Sequence, residues 1–112
     1  MSEKLRARIA ALRAEYVAKL PSEAAAARAA FADQSGGVGT AVERCWQIVH
    51  RIHGTAGSHQ IHVVADIARD LDGLLRCYRE TFDPVVLPPE VASRVEADLE
   101  RLEAQASLVA RT

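Results

Sequence analysis

Apolar residues recur at helical spacing along almost the whole chain. Leu5, Ile9, Leu12, Tyr16 and Leu20 advance by four, three, four and four positions. That spacing places them on one side of a helix predicted from about Ser2 to Leu20. Pro21 is expected to end or bend that helix, because proline lacks a backbone N–H and its ring crowds the preceding turn. Ser22 is then placed to cap a second, alanine-rich helix reaching about Ala32. Phe31 is its one large apolar residue, so the segment is expected to pack weakly. Residues 33–39 hold three of the six glycines and read as a flexible connection.

Thr40 and Glu43 form the T-x-x-E pattern of a capping box, which predicts a helix from Thr40 to about Gly57. Val42, Cys45, Val49 and Ile52 give it an apolar stripe, flanked by Trp46 and Ile48. Ile61, Val64, Ala68, Leu71, Leu75, Tyr78 and Phe82 alternate steps of three and four, the strongest helical signal in the chain. Residues 83–89 (DPVVLPP) break it. Val91, Val95, Leu99, Leu102, Ala106 and Val109 mark a final helix. These stripes have the width that an antiparallel four-helix bundle buries, here with the N-terminal arm split near Pro21. The expected organisation is one helical domain over residues 1–112. It comprises N-terminal helices in 1–32, a flexible loop in 33–39, and a helical hairpin with the C-terminal helix in 40–110.

Composition agrees with an all-α class. Twenty-one of the 112 residues are alanine, Leu, Arg and Glu are abundant, and aromatics make up 4%. Fourteen Lys and Arg stand against 15 Asp and Glu, for a net charge of -1. The broad positive field of a non-specific nucleic-acid binder is missing, so no nucleic-acid partner is expected. No stretch approaches the roughly 20 apolar residues of a membrane helix, and the first residues lack the apolar core of a secretory signal. No membrane association and a cytoplasmic location are expected. Cys45 and Cys77 are too few for a disulfide framework and, lying on helices, read as small core residues.

All four histidines lie between His50 and His62. A step of 100° per residue puts His50 roughly 110° from the centre of its helix's apolar stripe, on the solvent side. Gln47, Gly54 and Gly57 share that side. Glycine inside a helix costs roughly 1 kcal/mol against alanine. Gly54, one turn after His50, therefore suggests a surface kept bare for close approach. A neutral imidazole is a good nucleophile, and with an ordinary pKa of about 6.5 an exposed histidine is mostly unprotonated near neutrality.

The run His50-Arg51-Ile52-His53-Gly54 resembles the H-x-L-K-G signature of histidine-containing phosphotransfer (HPt) domains. Ala65, Ala68, Leu71 and Asp72 resemble that family's L-A-x-x-A-x-x-L-E continuation. Agreement in length and helix order covers about residues 40–110. Two positions depart: the family's lysine is His53, and its glycine ten residues after the phosphorylated histidine is Gln60. The resemblance implies that His50 accepts a phosphoryl group from a receiver-domain aspartyl phosphate and passes it to another receiver. The implied partners are response-regulator receiver domains and a hybrid sensor histidine kinase. No cofactor is expected on this chain, with Mg²⁺ carried by the receiver. Phosphoryl transfer asks the acceptor mainly for position and charge neutralisation. The chain has no G-x-x-x-x-G-K-[ST] motif, so a relay intermediate without an ATP site is expected, not a kinase.

His53, Gly54, Gln47, Arg51 and Gly57 are the candidate phosphate-proximal or docking residues. Each also has a plainer reading. His53 lies nearer the core stripe and could be a hydrogen-bonded packing residue. Gly57 could mark the helix end. Arg51, Arg69, Arg76 and Arg79 read as a solvated face, with Arg51 available to acidic receiver residues. The alternatives from other classes are a metal site built from the pairs His50/His53 and His59/His62, and an adaptor that docks proteins without phosphorylation.

Overall fold

The computed structural model describes residues 1–79 and 86–112. Four helices follow one another: α1 (Glu3–Ala32), α2 (Val38–Ser58), α3 (His62–Arg79) and α4 (Pro89–Arg111). Sequential helices pack together, and α4 returns to α1, closing a four-helix bundle. The stripes expected from the sequence form its core. Leu20, Val42, Val49, Ile52, Leu71 and Leu99 are fully buried or within 1% of it. Each such side chain contributes about 1.5–3 kcal/mol of transfer free energy.

The predicted split of the N-terminal arm does not occur. Helix α1 runs through Pro21 for 30 residues. The proline leaves the Val17 carbonyl without its helical partner, a defect of about 3 kcal/mol in an isolated helix. Leu20, Ala24 and Ala27, all fully buried, hold the chain helical on both sides of it. Ser22 is not a cap either: its hydroxyl donates to the Lys19 carbonyl (2.9 Å). The expected weak packing of the alanine-rich segment is also corrected, since Ala24, Ala27 and Phe31 belong to the core cluster and Ala30 packs against it. Conversely, Leu5, Ile9 and Leu12 remain 50%, 44% and 42% exposed.

Helix α2 begins at Val38, two residues before the predicted start, after Gly37 with φ 91°. The capping box does not form. Glu43 is drawn across the bundle to Arg79 on α3 instead (2.8 and 3.0 Å), a charged pairing that outweighs a local cap. Helix α2 continues past Gly57 to Ser58, so that glycine is helical and is not the end signal. The reversal comes at Gln60, whose φ of 59° is left-handed. Its N–H donates to the Gly57 carbonyl and the Ile61 N–H to the Ala56 carbonyl (3.1 and 2.9 Å). This is the Schellman pattern, with buried Ile61 packed toward buried Ala56. The residue in place of the family's glycine thus occupies the one conformation that favours glycine.

Helix α3 carries the near-heptad stripe from Val64 to Tyr78, with Ile61 in the turn just before it. Cys45 is buried as expected, but Cys77 lies off the α3 stripe and is exposed, which corrects its expected place in the core. Phe82 and the first part of the predicted 83–89 break lie outside the described residues. Helix α4 starts two residues earlier than the stripe suggested, with Pro89 in its first turn. Proline is tolerated there because its missing N–H would have no helical partner.

Candidate functional site

Three turns of α2 and two of α3 assemble the site. The steps of three and four that bury Val49 and Ile52 turn His50 outward, and its side chain is 54% exposed. Opposite it, Asp72 follows Leu71 in the α3 core stripe and is buried with only 3% of its side chain accessible. His50 Nδ1 lies 2.8 Å from Asp72 Oδ2. An ionised carboxylate can only accept, so Nδ1 carries the hydrogen and donates it. The neutral ring therefore keeps its lone pair on Nε2.

Asp72 is saturated by donors. Trp46 Nε1 and Arg76 Nη2 donate to Oδ1 at 2.8 and 2.9 Å, and His53 Nδ1 stands 3.5 Å from Oδ2. Burial pushes the Asp72 carboxyl up, but the hydrogen bonds from His50 and Trp46 and the Arg76 charge outweigh it and hold it below the usual carboxylate range. A buried carboxylate without such partners would be strongly destabilising.

Trp46, one turn before His50, fixes the other side of the ring. The two rings stack with centroids 4.8 Å apart and planes 20° from parallel. The Arg79 guanidinium lies 3.7 Å from the Trp46 ring centroid, a cation–π arrangement. Hydrogen bonding from Arg79 holds the Glu43 carboxyl below its ordinary range against partial burial. Arg76 and Arg79 are thus built into the site, and the expectation of a merely solvated face is corrected for both.

The face around His50 is bare. Cβ atoms added at Gly54, Gly57 or Gly73 would meet nothing within 4 Å. The imidazole is consequently held from two sides and open on the third.

The family model of the Hpt domain matches residues 5–105. The chain belongs to the Hpt domain family. Hpt domains are helical bundles that carry phosphoryl groups in phosphorelays and interact with receiver domains of two-component systems. No significant match was found among curated proteins or among solved structures.

Within this Hpt domain the sequence-predicted residues fall into two groups. His50, His53 and Gly54 lie together, with both rings reaching Asp72. Gln47 and Gly57 are exposed on the same helix, Gln47 donating to Glu43 (3.3 Å). Arg51 points across to α1, where Nη2 lies 3.5 Å from Glu23 Oε2. His59 leaves the group altogether and stacks on Tyr16 of α1 (centroids 5.3 Å). Among the described residues no three His, Cys, Asp or Glu side chains are disposed to hold a metal ion. No described helix is long and apolar enough to cross a membrane. Sequence reasoning missed Trp46, Arg76, Arg79 and Glu43 as site residues, and quoted Asp72 without a role. The available signal was an acidic residue beside the α3 core stripe, with an arginine one turn later.

Proposed function

We propose that His50 is the phosphoryl acceptor of a phosphorelay, taking the group from a receiver-domain aspartyl phosphate and passing it to the aspartate of a second receiver. The observation that carries this reading is the half-exposed His50 ring, whose Nδ1 is tied to buried Asp72 and whose Nε2 is left as nucleophile beside the bare turn at Gly54. In the transfer the Nε2 lone pair attacks phosphorus, the N–P bond forms, and the acyl P–O bond breaks. The receiver aspartate leaves as a carboxylate. Nδ1 keeps its hydrogen, so the phosphorylated ring is cationic, and the Asp72 carboxylate 2.8 Å away neutralises it. A cationic imidazole is also a good leaving group for the onward step. His50 needs no base to remove a proton, in keeping with a loose transition state that depends on positioning.

In this reading residues 1–112 work as one cytoplasmic Hpt module without an ATP site, served by receiver domains and a hybrid sensor histidine kinase. Mg²⁺ resides on the receiver. Gln47, Arg51, Gly54 and Gly57 form the docking face, and His53 stands beside the phosphoryl group in place of lysine. The test is phosphotransfer from acyl-phosphate-loaded receivers to the wild-type chain and to His50→Gln. The wild type is expected to be labelled and the variant, with unchanged helical circular dichroism, to stay unlabelled. Labelling of His50→Gln at the wild-type rate overturns the reading.

A further inference from the structure

The first turns of α1 run past the bundle. Arg13 Nε donates to the His59 carbonyl (3.3 Å) and Tyr16 stacks on His59, so this level of α1 lies beside the α2–α3 turn. At the same level α4 ends, where Val109, Ala110 and Thr112 line a groove with Ala10 and Ala14. Everything before Ala10 therefore extends beyond the other helices, in a molecule 53 Å long and 24 Å wide. All of residues 1–15 are exposed.

This extension is patterned. Leu5, Ile9 and Leu12 continue the apolar line that reaches Tyr16, with the alternating steps of a two-helix seam. On a helical wheel Arg6 and Arg13 flank the line on one side and Arg8 and Lys4 on the other, at about 70° to 110° from its centre, with Glu15 the one acidic residue on the second flank, at the level of Tyr16. No ion pair holds Lys4, Arg6 or Arg8 within the described chain. Residues at those flanks of a helix seam choose its partner by charge.

We infer that this extension is a docking site for a second protein's amphipathic helix carrying acidic residues on both sides of its apolar seam. Glutamates there would meet Arg6, Arg8 and Arg13 while leucines cover Leu5, Ile9 and Leu12. A second copy of this chain fits less well, since an antiparallel pair of extensions sets Arg6 and Arg13 of one copy against Arg13 and Arg6 of the other, a repulsion that the contact of Glu15 with Lys4 on the opposite flank only partly offsets. A flat anionic lipid surface fits poorly as well. The apolar line lies on the side of α1 that carries Tyr16 against the α2–α3 turn, so the ends of α2 and α3 obstruct a plane laid along it. A helix about 10 Å across fits beside α1, end-on to that turn. The inference does not depend on the role of His50.

The test uses the full chain and two labelled synthetic helical peptides of about three heptads, both with leucine and isoleucine at the seam. One carries glutamate at the flanks and the other lysine. Fluorescence anisotropy is expected to give binding of the glutamate peptide at least about tenfold tighter than of the lysine peptide, weakening with added salt. Ile9→Ser should abolish it, and Arg6→Glu with Arg8→Glu should reverse the preference. All three positions are exposed, so circular dichroism should be unchanged. Absence of glutamate-peptide binding, equal binding of both peptides, or no reversal overturns the inference. So does a dimer in sedimentation of the chain alone, or recruitment to phosphatidylglycerol vesicles without peptide binding.

Discussion

His50 and Asp72, 22 positions apart on neighbouring helices, are joined by a 2.8 Å hydrogen bond from an exposed ring to a buried carboxylate. The pairing settles which nitrogen faces solvent, and in the proposed transfer it would place a counter-charge beside a cationic phosphorylated ring. Trp46 and Arg76 hold the other carboxylate oxygen, so Asp72 is fixed before His50 is engaged.

Asp72→Asn keeps the shape of this arrangement and removes its charge. Phosphotransfer to the variant is expected to slow by at least about tenfold, the lower end of what is lost when a carboxylate that orients a metal-bound histidine is removed. Helical circular dichroism should persist. Quench-flow rates with one receiver decide the matter. A wild-type rate in Asp72→Asn would show that orientation by Trp46 stacking suffices.

The same carboxylate shapes acid stability. Its acidity in the folded chain is stronger than the ordinary value of about 3.9, so the unfolded state binds protons first as pH falls. Asp72 therefore adds stability that is complete above that value and lost as pH drops through the lower folded one. Urea unfolding of the wild type should weaken more steeply than that of Asp72→Asn below about pH 4. Parallel acid limbs would mean that Asp72 contributes nothing through ionisation.

Gln60 bears strain that glycine would not. A left-handed non-glycine residue costs about 1–2 kcal/mol, against the roughly 0.5–1 kcal/mol of chain entropy that a glycine loses on folding. Gln60→Gly is expected to raise stability by up to about 1 kcal/mol, and Gln60→Val to lower it by more than about 1 kcal/mol. Thermal melts measure both. A Gln60→Val melt equal to wild type would mean the turn relaxes to another conformation.

Much of the bundle was legible because burial follows period. Val42, Val49, Ile52, Leu71 and Leu99 were assigned to the core from spacing alone and are there. The same reasoning turned His50 outward. It failed where a tertiary partner outbid a local signal: packing around Leu20 and Ala24 carried α1 through Pro21, and Arg79 took Glu43 from its cap. It also failed for Leu5, Ile9 and Leu12, because an apolar period tells which side a helix would bury and not whether its neighbours are long enough to cover it. The donors around Asp72 come from two helices, and pairwise reach across a bundle is not encoded in spacing along one chain.

Gly54 separates docking from stability. A side chain there would enter open space, with nothing within 4 Å of its Cβ, and would replace the poorest helix former but proline. Gly54→Leu should therefore stabilise the domain by about 0.5–1 kcal/mol. If a receiver packs over this turn to reach Nε2, the leucine stands between the two proteins, and transfer should fall by at least about tenfold. Gly54→Ala, with one methyl, should share the stabilisation and keep most of the transfer. Melts and single-turnover rates on the three proteins test both halves together. A Gly54→Leu variant that melts higher and transfers at the wild-type rate would show that receivers approach His50 from the α3 side, over Gly73.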